Sequence, residues 1–239
     1  MESENLNYPN QANNTKEQEI LLERVDRKYA VEEFLNLIGY ERGLLFTVRE
    51  LLLRPGKLVH HYLNTDRNAC TKPVTFLILC SVVYSLITGY LDVDVLSEEQ
   101  LKKQYGTTGG NSVILWIQNN YGYANILMLI FIAFWTKIFF KKYSYNIYEI
   151  GVMLCYIMGE GMLWFSVHPI IAKFVTNTIF DTVFYSAILL YVAWAIGQFF
   201  GGGFKNYFKA LCAYLIGFVS FEIVAILIGV AMDLMAKKI

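Results

Sequence analysis

The sequence predicts an all-α integral membrane protein: about five transmembrane helices with a cytoplasmic N-terminal amphipathic helical arm. Three observations predict it. Hydrophobic residues make up 56% of the 239-residue chain, against about 45–50% in an ordinary soluble domain, and the mean hydropathy is +0.40. Those residues cluster in windows near the length a helix needs to cross a hydrocarbon core about 30 Å thick. The cations are also unevenly placed, with half of the 20 Lys and Arg lying before residue 73.

The first 15 residues are polar and acidic, carry no apolar stretch of the secretory kind, and are expected to be a disordered cytoplasmic tail. Residues 16–39 read as a helix with a loose apolar stripe, capped by Asn14 or Thr15. Residues 42–54, RGLLFTVRELLLR, read as a second helix. Leu44, Leu45, Val48, Leu51 and Leu52 fall on one face of a 3.6-residue period, flanked by Arg42, Arg49, Glu50 and Arg54. The helix is too short to span, and a basic amphipathic helix beside a span lies most simply in the interface plane. Pro55-Gly56 ends it, two further turns follow, and a polar connector holds Arg67 and Lys72. Residues 16–72 are thus expected to form one cytoplasmic or interfacial arm, and 73–239 the transmembrane bundle.

The first span is expected at Pro73–Leu91, with Pro73 at the first helical position, where its missing N–H costs nothing. A loop follows, in which residues 97–100 form a possible capping box and residues 112–120 a possible interfacial helix or an early start to the next span. The second span is expected at about Tyr121–Phe140 and the third at about Tyr145–Val167, closed by His168-Pro169. A partly apolar outer loop then leads to a fourth at about Thr182–Phe200. Gly201-Gly202-Gly203 makes a tight turn before a fifth at about Tyr207–Ala231. With the N-terminus inside, the inner segments carry 10, 3 and 2 basic residues and the outer segments 2, 1 and 2. That bias favours a cytoplasmic N-terminus, although the terminal Lys237-Lys238 pair runs against it.

Three carboxylates fall inside spans: Glu149, Glu160 and Glu222. Ionisable groups there are costly and mark a bundle interior or a water-filled cavity. Glu160 and Glu222 lie at similar depth, roughly 22 Å from the inner surface. No Lys or Arg of another span stands at that level. Two bare charges in apolar surroundings would be very unfavourable, so at least one proton is expected on the pair. They define a candidate intramembrane polar site, read either as carboxyls satisfied by neighbours such as Tyr156, Tyr191, Tyr214 and Ser220, or as a proton or cation site between spans three and five. Glu149, one turn inside the interface, is within reach of the surface or of Lys141 and Lys142. Gly159 and Gly161 beside Glu160, and the pairs Ala193/Gly197, Ala213/Gly217 and Ala225/Gly229, allow close helix approach.

No nucleophile, zinc-protease or phosphate-loop motif is present, so no enzyme activity and no cofactor are expected. Cys70, Cys80, Cys155 and Cys212 form no C-x-x-C pair, so no disulfide framework is expected. His60, His61 and Cys70 match no standard zinc spacing. The charge balance, 20 basic against 20 acidic residues, gives no pointer to nucleic acid, and none is expected as a partner. The expected partners are the lipid bilayer and a membrane protein or a second copy of the chain. The leading functional reading is a membrane-embedded structural, regulatory or assembly protein. The rival is a small transporter or permease component with a proton or cation site at Glu160 and Glu222.

The stretch from Gly43 to Leu91 contains Gly-Leu-Leu-Phe-Thr-Val-Arg-Glu-Leu-Leu-Leu-Arg-Pro-Gly-Lys, then Asp66-Arg67 and Pro73 at the start of a span. It resembles a family of uncharacterised bacterial multi-span membrane proteins, a domain of unknown function. Arg54, Pro55, Gly56, Arg67 and Pro73 carry that signature, read as the hinge between an interfacial helix and the bundle. The stretch from Ala133 to Glu149 is similar to the family's span end, basic turn and tyrosine-glutamate start of the next span. Asn64 replaces a connector glycine, and Ile150 replaces a histidine after the glutamate. Many members carry an N-terminal zinc ribbon, but here no cysteine precedes Cys70. The resemblance implies this architecture and a bacterial inner membrane, and supplies no activity.

Overall fold

The computed structural model describes residues 43–91, 113, 116–117, 120–175 and 177–236. The tail at 1–15, the helix expected at 16–39, the capping box at 97–100 and most of 112–120 lie outside the described residues. Seven helices are delimited: α1 (Leu44–Leu53), α2 (Pro55–Asn64), α3 (Pro73–Leu91), α4 (Tyr121–Phe139), α5 (Ile147–Ala172), α6 (Thr178–Phe199) and α7 (Phe204–Ala236). No strand occurs among the described residues. Helices α3 to α7 are each long and apolar enough to cross a membrane. The fold is therefore all-helical with five candidate spans.

The bundle is organised around α5. About two thirds of its apolar window (67%) is buried inside the protein, against 22–39% for the other four spans. It packs against α1, α2, α3, α4 and α6, while α7 lies on α4 and α6. The closest packing is between α3 and α5, and Gly159 explains it. A Cβ there would stand 2.8 Å from the Phe76 ring and 3.3 Å from the Leu77 backbone. Two of the small-residue pairs are likewise spent inside the molecule, Gly197 against Tyr207 and Gly217 against Ile132.

The elements begin and end for local reasons. Arg54 has non-helical dihedrals (φ −149°, ψ 56°) and separates α1 from α2, with Pro55 opening α2. Asn146 caps α5 in a full capping box: its side chain accepts the Glu149 N–H, and the Glu149 carboxylate accepts the Asn146 N–H. Asn177 caps α6 by accepting the Ile179 N–H. Gly201, Gly202 and Gly203 all have positive φ (90°, 71° and 88°), a conformation open to glycine and strained for other residues. That run reverses the chain between α6 and α7.

The first span has the expected bounds and the second ends one residue early. The third does not stop at Val167. Helix α5 runs through His168-Pro169 to Ala172, with Pro169 buried inside it. A proline removes one hydrogen bond to the preceding turn, which a long helix tolerates close to its end. The loop to α6 is correspondingly short, residues 173–177, because Ile170–Ala172 extend α5 and Thr178–Phe180 belong to α6. Helix α7 starts at Phe204 and reaches Ala236, longer at both ends than the expected span Tyr207–Ala231.

Candidate functional site

The signature stretch forms a clamp on one end of the bundle. Pro55 and Gly56 are both buried. A Cβ on Gly56 would lie 2.8 Å from the Gln198 carbonyl carbon and oxygen, so only glycine lets α2 rest on the last turn of α6. One turn on, His60 stacks on Phe199 at 4.7 Å between ring centroids. Its Nε2 lies 3.0 Å from the Phe199 carbonyl oxygen. That oxygen can only accept, so Nε2 donates, satisfying a carbonyl left free at the end of α6. The Tyr145 hydroxyl stands 3.4 Å from the other ring nitrogen. The turns between α4 and α5 and between α6 and α7 meet beside this cluster: Phe140 and Phe200 stack at 3.8 Å, and Asn206 donates to the Tyr143 hydroxyl and to the Phe200 and Gly202 carbonyls.

A second group of contacts ties the connector between α2 and α3 to α1 and α5. The Tyr156 hydroxyl donates to the Thr71 carbonyl (2.6 Å) and lies 3.4 Å from the Cys70 sulfur. The Thr71 N–H donates to the Thr47 hydroxyl (3.1 Å). Thr47, Cys70, Thr71 and Tyr156 are all buried. Burial pushes the Cys70 thiol above its ordinary pKa; the contact with the Tyr156 hydroxyl acts the other way, and the nearby Asp66 charge adds to the rise. All four cysteines are free.

The carboxyls expected to form a polar site are in three different settings. Glu149 is the third residue of α5 and serves the capping box, at the helix mouth rather than deep in the span. Glu160 is 2% exposed, and its Oε2 has no hydrogen-bond partner. Glu222 is partly buried on α7. Helices α5 and α7 share at most a marginal contact, since α7 packs on α4 and α6. Three of the donors expected to serve the carboxyls are engaged elsewhere. Tyr156 holds Thr71, Tyr191 donates to the Leu51 carbonyl (3.1 Å), and Ser220 donates to the Ile216 carbonyl (2.6 Å). A cavity of about 120 Å³ between α5 and α6 is lined by Trp164, Phe184, Ala187, Ile188 and Tyr191, and by neither carboxylate.

The opposite end of the bundle carries a smaller cluster that sequence reasoning passed over. Nε2 of His168 donates to Asp181 Oδ1 at 2.9 Å, and the imidazole is packed by Phe184 at 5.0 Å and Tyr185 at 4.8 Å. The pair closes the short α5–α6 loop. Helical lengthening brought Asp181 into reach, and His168-Pro169 read as a helix stop concealed it.

The arrangement defines a multi-pass helical bundle whose signature residues close one end. Residues 41–85 match a family described as "Protein of unknown function (DUF3667)", a stretch that covers α1, α2, the connector and most of α3. This is the resemblance carried by Arg54-Pro55-Gly56, Arg67 and Pro73. No curated protein and no solved structure matches the chain.

Proposed function

We propose that the chain is a non-catalytic assembly or regulatory protein of a bacterial inner membrane, with its clamped end in the cytoplasm. The observation that carries this reading is the closed setting of α5: its one deep carboxyl is 2% exposed and shares no extensive packing with the helix that bears Glu222. Coupled transport needs ionisable groups that meet each other or water. The orientation is supported by charge. Among the described residues every Lys and Arg except Lys173 belongs to α1, the Arg54 break, α2, the connector, the 137–142 turn or the first turns of α7, and these segments interlock at one end. Lys and Arg beside spans favour the cytoplasmic side.

The rival reading, a permease component with a proton or cation site, is favoured by the unpartnered Oε2 of Glu160. Purified chain in proteoliposomes with an internal pH dye separates the two. The assembly reading expects no proton or monovalent-cation flux above that of empty vesicles under an imposed gradient. A flux that disappears in Glu160→Gln overturns it.

A further inference from the structure

Helix α7 places a partly exposed carboxyl at the edge of its outward face, in the middle of its span. Glu222 lies about 20 Å along the axis beyond Lys209, well inside the apolar window Phe204–Ala231. Phe221 and Ala225 are buried on the bundle side. Glu222, partly exposed, lies at the border between that side and an outward apolar stripe of Val219, Ile223 and Ile226. Those three side chains are 50%, 52% and 38% exposed. The carboxyl is partly open and has no hydrogen-bond or ion-pair partner among the described residues. An apolar stripe alone is explained by lipid. A carboxyl at its edge is not, because such groups in membranes face a bundle interior and pair, and an unpaired polar group in apolar surroundings is costly.

We infer that the Glu222 stripe of α7 is a docking surface for a transmembrane helix of a different polypeptide that carries a Lys or Arg within its span. Charge complementarity selects this occupant. A second copy of the chain has no cation to offer at that depth: in the five spans the Lys and Arg are Lys137, Lys205 and Lys209, all at the clamped end. The inference deepens the assembly reading and rests on it, giving the partner its chemistry.

The test places the full chain in phosphatidylcholine vesicles with one of two synthetic helices. One is a leucine helix with a single central lysine, the other the same helix without it, each bearing a dansyl acceptor for the chain's tryptophans. The lysine helix is expected to associate at least about tenfold more tightly than the leucine helix. That preference should vanish in Glu222→Gln and survive in Glu222→Asp. Equal association of both helices with the unsubstituted chain, a comparison that needs no variant, overturns the inference. So does a preference retained in Glu222→Gln, or self-association of the chain through Glu222 that excludes the lysine helix. Cation flux in the proteoliposome experiment would overturn the assembly reading whatever the helices do, whereas equal helix association without flux would overturn this inference alone.

Discussion

Gly56 and Tyr156 hold the clamp from opposite sides, and each is sensitive to a single atom or group. Gly56→Ala adds a methyl that meets the Gln198 backbone at 2.8 Å. Backbone cannot swing aside as a side-chain tip does, so the change should cost about 1–3 kcal/mol, the usual range for overpacking. Thermal unfolding in detergent should show the midpoint falling. Tyr156→Phe leaves the buried Thr71 carbonyl without its donor, at a cost of about 1–3 kcal/mol, and frees the connector. Its second consequence is chemical. In the intact chain Cys70 is buried and its thiol is held up in pKa, so at pH 8.5 it should react with iodoacetamide more slowly than free cysteine. Tyr156→Phe removes the hydroxyl beside the Cys70 sulfur but also opens the connector. Faster alkylation in the variant would mean access controls the rate; slower alkylation would mean the phenol does. The Arg-Pro-Gly break was legible in the sequence, because proline and glycine act on their own backbone. The reason for the glycine was not legible, since Gln198 is distant in sequence and only the fold brings it there. The same holds for Tyr156, read as a donor for a carboxyl and found holding a carbonyl of the connector.

Among the elements, α1 and α5 show how a membrane alters sequence patterns. The apolar stripe of α1 splits in the structure. Leu51 is buried and Leu44 and Val48 pack on the core, while Leu45 is 83% exposed and Leu52 points outward. In water such a stripe would be buried as one face. Here the outward leucines suit a helix with protein on one side and the lipid interface on the other. The bounds of α3 and α4 could be read to within a residue because apolar runs end sharply at charges and polar turns. Those of α5 and α6 could not, because Ile170, Ile171 and Phe180 are apolar on both sides of a short loop, and His168-Pro169 mimics a stop. The start of α5 is fixed by the Asn146–Glu149 capping box. Asn146→Ala should lower stability by about 1 kcal/mol, the typical cost of losing such a cap. Glu149→Gln keeps a hydrogen-bonding side chain at the same position and should cost less. Unfolding midpoints of the two variants, compared with the unsubstituted chain, check that order; Glu149→Gln falling as far as Asn146→Ala would mean that the glutamate's charge, not its hydrogen bond, stabilises the helix mouth.

At the scale of the whole molecule, the interlocked end decides which way the bundle sits. The contacts of His60 with Phe199, Asn206 with Tyr143 and Tyr156 with Thr71 bring α1, α2, the connector, the α4–α5 and α6–α7 turns and their cations to one side as a single unit. They therefore cross together or not at all. Each cation moved into the hydrocarbon centre costs about 2.5–3.5 kcal/mol on insertion scales, so with so many on one end a mixed orientation is disfavoured. The prediction is made with single cysteines in a background where Cys212, the one native thiol that is not buried, is replaced by serine. In intact bacterial cells, Lys57→Cys should resist a membrane-impermeant maleimide and react after permeabilisation. Phe174→Cys, exposed in the short α5–α6 loop, should react in intact cells. The reverse pattern would put the clamp outside and sink the orientation. Labelling of both in intact cells would mean that the two ends share a side, which an odd number of spans between them forbids.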